Sequence, residues 1–175
     1  MITFILTTLT LVSNILFCLG IIIIAFDKKA RIWVFDFVHT HVVALLLTFS
    51  LSAVLGSLAY SNIIGFPPCE LCWFQRIFMY PQALIAFIAL LKKDASVVVY
   101  SFALSVFGIV VAFYHSMVHW GFMGGLLGCT AIGGECGKVY VLEYRYITIP
   151  FMALSIFVYL IAISVIYYKS KNVRG

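Results

Sequence analysis

Charge is what this 175-residue chain has least of: 10% of its residues are charged, and only six are Asp or Glu. With 65% hydrophobic residues, it leaves no stretch polar enough to enclose a soluble domain. The formal charge of +5 is not a nucleic-acid footprint, because the basic residues fall in short loops between apolar runs. No glycine-rich nucleotide-binding motif is present, and no C-x-x-C-H haem attachment sequence. The first apolar run also lacks a basic leader and a small-residue cleavage site, so it is expected to be a retained helix rather than a signal peptide.

What is present is apolar length. Runs at about 2–26, 42–64, 73–91, 95–117 and 147–168 each approach the ~20 residues that cross a hydrocarbon core as a helix. The third is the weakest, carrying Gln75, Arg76, Pro81 and Gln82, and Pro81 is expected to kink that helix rather than break it. Eight of the eleven basic residues (Lys28, Lys29, Arg31, Lys92, Lys93, Lys169, Lys171 and Arg174) fall on one side of a five-span chain. That side is expected to be cytoplasmic, with the N-terminus and both cysteine pairs outside. Residues 30–41 read as a boundary loop, with Trp33, Phe35 and Phe37 at headgroup level and His39 and His41 as solvated interfacial side chains. Cys18, in mid-span, reads as a small buried apolar residue. Ser52, Gly56, Ser57 and Ala59 in the second run signal close helix packing.

The stretch 66–80, FPPCELCWFQRIFMY, organises the chain. Pro67 and Pro68 stop one helix and permit another to start just after them. Cys72 then falls in or near a first helical turn, where free N–H groups and the helix dipole favour an anion. Arg76 lies one turn on, over the same face. Both features favour thiolate over thiol, the condition for nucleophilic sulfur. A second pair, Cys129 and Cys136, sits in a loop that holds seven of the twelve glycines, 121–137. The segment 138–146, KVYVLEYRY, is too short and polar to span and is expected along the outer surface.

His115 and His119 share a helical face near one membrane boundary. They are open to three readings: interfacial polar residues, a metal or haem site, or proton-handling groups beside a cofactor. The four outward cysteines likewise read as structural disulfides, as a zinc site or as a thiol–disulfide exchange relay. The six-residue separation of the second pair is wide for a zinc knuckle. An exchange relay needs an electron acceptor, and a lipid-soluble quinone reaching the C-x-x-C through the bilayer would serve. Arg76 and His115 are then candidates to bind its carbonyl oxygens and assist protonation.

Four segments together carry a resemblance: CELCWFQRIFMYP, YHSM, CTAIGGEC and YITIPFMAL. Over about residues 40–168 the chain resembles the disulfide bond formation protein B family, most closely the branch often called disulfide bond formation protein C. The resemblance implies an all-α integral membrane protein, a four-helix transmembrane bundle (40–175) with one additional N-terminal transmembrane helix and a cytoplasmic loop (1–39). It also implies an enzyme of the bacterial cell membrane that passes electrons from an extracytoplasmic thioredoxin-like thiol oxidase to the quinone pool, ubiquinone or menaquinone. In that scheme Cys129–Cys136 accepts electrons from the partner, with Cys129 meeting it, and hands them to Cys69–Cys72. Cys72 meets the quinone, Arg76 is the quinone-site arginine, and His115 the quinone-proximal histidine; no metal is implied. The alternatives are a membrane interaction protein with structural disulfides or zinc, and a vitamin-K-epoxide-reductase-like enzyme. The position of the C-x-x-C before the third run rather than the last disfavours the latter.

Overall fold

The computed structural model describes residues 2–122 and 136–174. Among these, five helices are long and apolar enough to cross a membrane: α1 (Ile2–Phe26), α2 (Lys28–Leu58), α3 (Glu70–Lys92), α4 (Val97–His119) and α5 (Ile149–Arg174). The protein is an all-α integral membrane protein. Helices are what apolar runs of this length must form in lipid, where every backbone N–H and C=O needs a partner within its own segment. α2, α3, α4 and α5 pack into a bundle, and α1 lies across α2 and α5.

Two sequence expectations need correction. Residues 30–41 are not a loop. They are helical and belong to α2, which starts straight after Asp27, whose carboxylate accepts from the Lys29 N–H at 2.8 Å and caps it. At about 46 Å, α2 is longer than the ~30 Å hydrocarbon core, and its backbone leaves helical geometry at His41. His39 stacks on Tyr167 and bonds Ser170, while His41 stacks on Phe37. Cys18 is also not buried; it is exposed on α1. Pro81 lies inside an unbroken α3. Segment 138–146 forms turns closed by one antiparallel bridge between Glu143 and Ile147.

Several polar side chains inside the bundle are matched across helices. Gln82 of α3 accepts from the Ser101 and Ser105 hydroxyls of α4 at 2.7 and 3.2 Å, all three buried. Such bonds hold helices together where water cannot compete. Between α4 and α5 the contact is steric instead. A Cβ on Gly108 would lie 2.4 Å from the ring of Phe157, which is fully buried. Gly108→Val is therefore expected to cost about 1–3 kcal/mol through overpacking, measured by denaturant titration in detergent. Gly20→Val has open space around its Cβ and serves as the comparison; equal stability of the two variants would contradict this packing.

Candidate functional site

The site is built where α2 stops and α3 starts. α2 loosens into one π-helical turn, Ala59–Ile63, and Gly65 takes a positive φ of 86°. Pro67 and Pro68 follow, and Cys69 sits in extended geometry as the cap of α3, its sulfur accepting from the Cys72 N–H at 3.3 Å. A thiol thus does what Ser or Asp usually does at this position. The cap turns Cys69 Sγ back over the first turn, 2.6 Å from Cys72 Sγ. Cys69 is buried and Cys72 half-buried.

His115, near the end of α4 and 1% exposed, completes the pair's surroundings. Its Nε2 lies 3.6 Å from Cys69 Sγ and its Nδ1 3.0 Å from Gln75 Nε2. With the Gln75 amide donating to Nδ1, the ring proton sits on Nε2 and points at the Cys69 sulfur. Cys69 in turn holds its own proton. Its hydrogen bond to Cys72, and then burial, push the Cys69 thiol up to about 12, against a smaller lowering by the His115 bond. A line of hydrogen bonds therefore runs from Gln75 through His115 and Cys69 to Cys72.

Arg76 reaches across to α2. Its Nε donates to Ser57 Oγ at 3.0 Å, one Nη donates to the Ser57 carbonyl at 3.4 Å, and the guanidinium lies 5.0 Å from the centre of the Trp73 ring. A cation at the edge of a membrane helix is costly unless held like this. Cys136 is fully buried and packs against Cys69 and Leu71. His119 bonds to the backbone of Cys136 and meets His115 edge to face at 4.7 Å, with its Nδ1 buried and unpartnered among the described residues. Cys129 lies outside the described residues.

These groups surround one cavity of about 380 Å³. Cys69, Cys72, Gln75, Arg76, His115 and His119 line its head. Tyr60, Phe66 and Tyr140 stack over it at 6.2 and 4.9 Å, and Lys138 covers Tyr140. Below, the walls are mainly apolar, from Met79, Phe49, Ala153 and Ile156. Such a slot accepts a flat apolar molecule with a few polar atoms at one end. Cys69, Cys72 and His115 also offer three metal-ligand atoms within 4.8 Å of one another.

Sequence reasoning missed Gln75 and Ser57 as site residues, and left His119 among open readings. Gln75 lies three residues after Cys72, a helical spacing that puts it beside the motif. Ser57 reads as a packing residue because its partner is nineteen residues away. His119 shares the face of His115.

A helical membrane protein with a close cysteine pair at one end of its bundle is thereby defined. The family model for disulfide bond formation protein DsbB matches residues 39–167, and the chain belongs to that family. It is 39% identical over 127 residues to probable disulfide formation protein C 1 of Bacillus anthracis, covering 70% of this chain and 88% of that one. The SPbeta prophage-derived disulfide bond formation protein B of Bacillus subtilis is 37% identical over 131 residues (74% and 88%). Disulfide bond formation protein C of the same organism is 40% identical over 114 residues (64% and 81%). No solved structure gives a significant match. The chain is a multi-pass membrane protein of disulfide bond formation.

Because Cys69 is buried and keeps its proton to about pH 12, limiting iodoacetamide at pH 8 is expected to alkylate Cys72 at least tenfold faster in the reduced protein. Peptide mass spectrometry reads the ratio; faster labelling of Cys69 would contradict the hydrogen-bond order.

Proposed function

We propose that the protein is a thiol:quinone oxidoreductase that reoxidises a thioredoxin-like thiol oxidase outside the cytoplasm. The observation that carries this reading is a C-x-x-C pair at the head of an apolar cavity within a membrane bundle, with Cys136 packed against Cys69. The basic residues at 28–31, at 92–93 and in the C-terminal segment then face the cytoplasm, and the cysteine end faces out.

The electron path runs by two exchanges. The partner's dithiol reduces the Cys129–Cys136 disulfide, and the partner leaves as a disulfide. The reduced pair then attacks the Cys69–Cys72 disulfide, so that Cys129–Cys136 re-forms and Cys69 and Cys72 become thiols. Each exchange moves two electrons and two protons. A quinone, when bound, accepts both electrons and both protons and leaves as quinol.

The residues at the cavity head fit such a group. The walls are mainly apolar, the Arg76 guanidinium lines the cavity, and the buried His119 Nδ1 has no other partner among the described residues. Arg76 and His119 would hold quinone oxygens. His115 is engaged on both nitrogens, so its role is to orient Cys69 by donating its Nε2 proton toward that sulfur. Burial of Cys136 beside Cys69 keeps the second exchange away from water and from stray thiols.

The three close ligand atoms favour one competing reading, a structural zinc site, which metal analysis of the purified protein addresses directly. Stoichiometric zinc in active protein would overturn the relay.

Mixing reduced partner, purified protein and quinone is expected to form one quinol for each dithiol lost. Cys72→Ser should abolish both changes. Arg76→Ala should raise the quinone KM about tenfold or more, the loss of a charge-assisted contact of about 1.5–3 kcal/mol. Full activity in Cys72→Ser, or thiol loss without quinol, would reject the proposal.

A further inference from the structure

The family match starts at residue 39, so α1 stands outside it. Yet α1 is not a bystander to the site. Leu6, Leu9, Thr10 and Ser13 line the same cavity as the cysteine pair. Their spacing, i, i+3, i+4 and i+7, is one face of a helix. The other faces of α1 carry Phe4, Ile5, Val12, Ile15 and Leu16, each about half exposed or more, as lipid-facing residues are, and Leu9, 60% exposed, stands at the edge of the lining face.

α1 is fastened at two levels along its length. Near the cysteine end, Thr8 Oγ1 bonds the Tyr144 hydroxyl at 3.0 Å. Deeper, Tyr159 of α5 gathers three contacts from α1: Ser13 Oγ at 3.1 Å, a hydrogen bond to Asn14 Oδ1, and the ring of Phe17 at 4.7 Å. Tyr159 also packs edge-on against Phe49 of α2. These fastenings hold the helix across the groove between α2 and α5, and the cavity lies beneath it.

The depth of the slot says what it holds. Along α5 its lining runs from Ile149 to Tyr159, about 15 Å at 1.5 Å per residue. A quinone ring at the cysteine end would fill only the head of such a slot. The remainder is mainly apolar, with the hydroxyls of Thr10, Ser13 and Ser155 among its walls, lies within the membrane-spanning part of the bundle, and is continuous with the head.

We propose that α1 is a tail-binding wall: its Leu6–Leu9–Thr10–Ser13 face holds the first isoprenoid units of the quinone against α2 and α5. The proposal rests on the quinone reading above and adds to it a specificity element for tail over ring. α1 turns what would be a lipid-open groove into a walled slot, so recognition extends beyond the redox-active ring.

The test uses the full chain in lipid nanodiscs. Initial rates are compared for a decyl-tailed benzoquinone and the same ring with a methyl group in place of the tail. Thr10→Trp and Leu6→Trp are expected to raise the ratio of tailed to tailless KM at least tenfold, whereas Leu16→Trp, on the lipid face, should leave the ratio at its wild-type value. In the unsubstituted protein, a quinone with a photoreactive azide on its tail should label peptides within residues 2–26. Ratios within twofold of wild type in both cavity variants would overturn the wall, as would labelling confined to residues 39–167 despite normal turnover. Absence of both saturable labelling and quinone turnover in the wild-type protein would instead remove the quinone reading, and the wall with it.

Discussion

Everything at the cysteine end depends on how α3 begins. Two adjacent prolines cannot continue a helix, and they deliver the chain to Cys69 in extended geometry. From there a single contact, the Cys72 N–H on the Cys69 sulfur, closes the first turn and sets both thiols on the same side of it. A cap built from oxygen would serve the helix equally well. Sulfur couples the start of the helix to the redox state of the pair, because a sulfur engaged in a disulfide or protonated toward Cys72 is a different acceptor from a free thiolate.

The bilayer sets the second constraint. Polar groups within it are costly when unmatched, and the bundle matches several across helices: Gln82 with Ser101 and Ser105, Gln75 with His115, Arg76 with Ser57. The first set is far from the cysteines in sequence and serves cohesion. The other two sit on the turns of α3 that carry the C-x-x-C, and they orient chemistry. The difference lies in the neighbours. Gln82 faces two hydroxyls and the Phe78 carbonyl of its own helix, whereas Gln75 fixes the ring proton of a histidine aimed at a thiol.

Much of this was legible in the residues alone. Five spans, the break at Pro67–Pro68 and the position of Cys72 in a first helical turn follow from run length and proline chemistry, whereas a place for His115 at the site came only from the resemblance. The resemblance over four quoted segments pointed to the family that the chain belongs to. What could not be read was long-range pairing. Nothing local announces that Arg76 turns to Ser57, or that an added first helix would lean on Tyr159 and wall the cavity. Residues 28–41 misled for a different reason: their charges resemble a loop, but at a membrane boundary a helix can carry charges into water without ending. Cys18 misled because a thiol in lipid needs no burial.

The proposed relay requires that the sulfur of Cys72 be reached from the bilayer, through the cavity, rather than from water. A direct measurement compares two maleimides on the reduced protein in nanodiscs: one apolar and lipid-partitioned, the other charged and membrane-impermeant. The expected result is modification of Cys72 by the lipid-partitioned reagent, with the impermeant one at least tenfold slower. Equal or faster modification by the impermeant reagent would place that sulfur in water and contradict electron exit through the membrane.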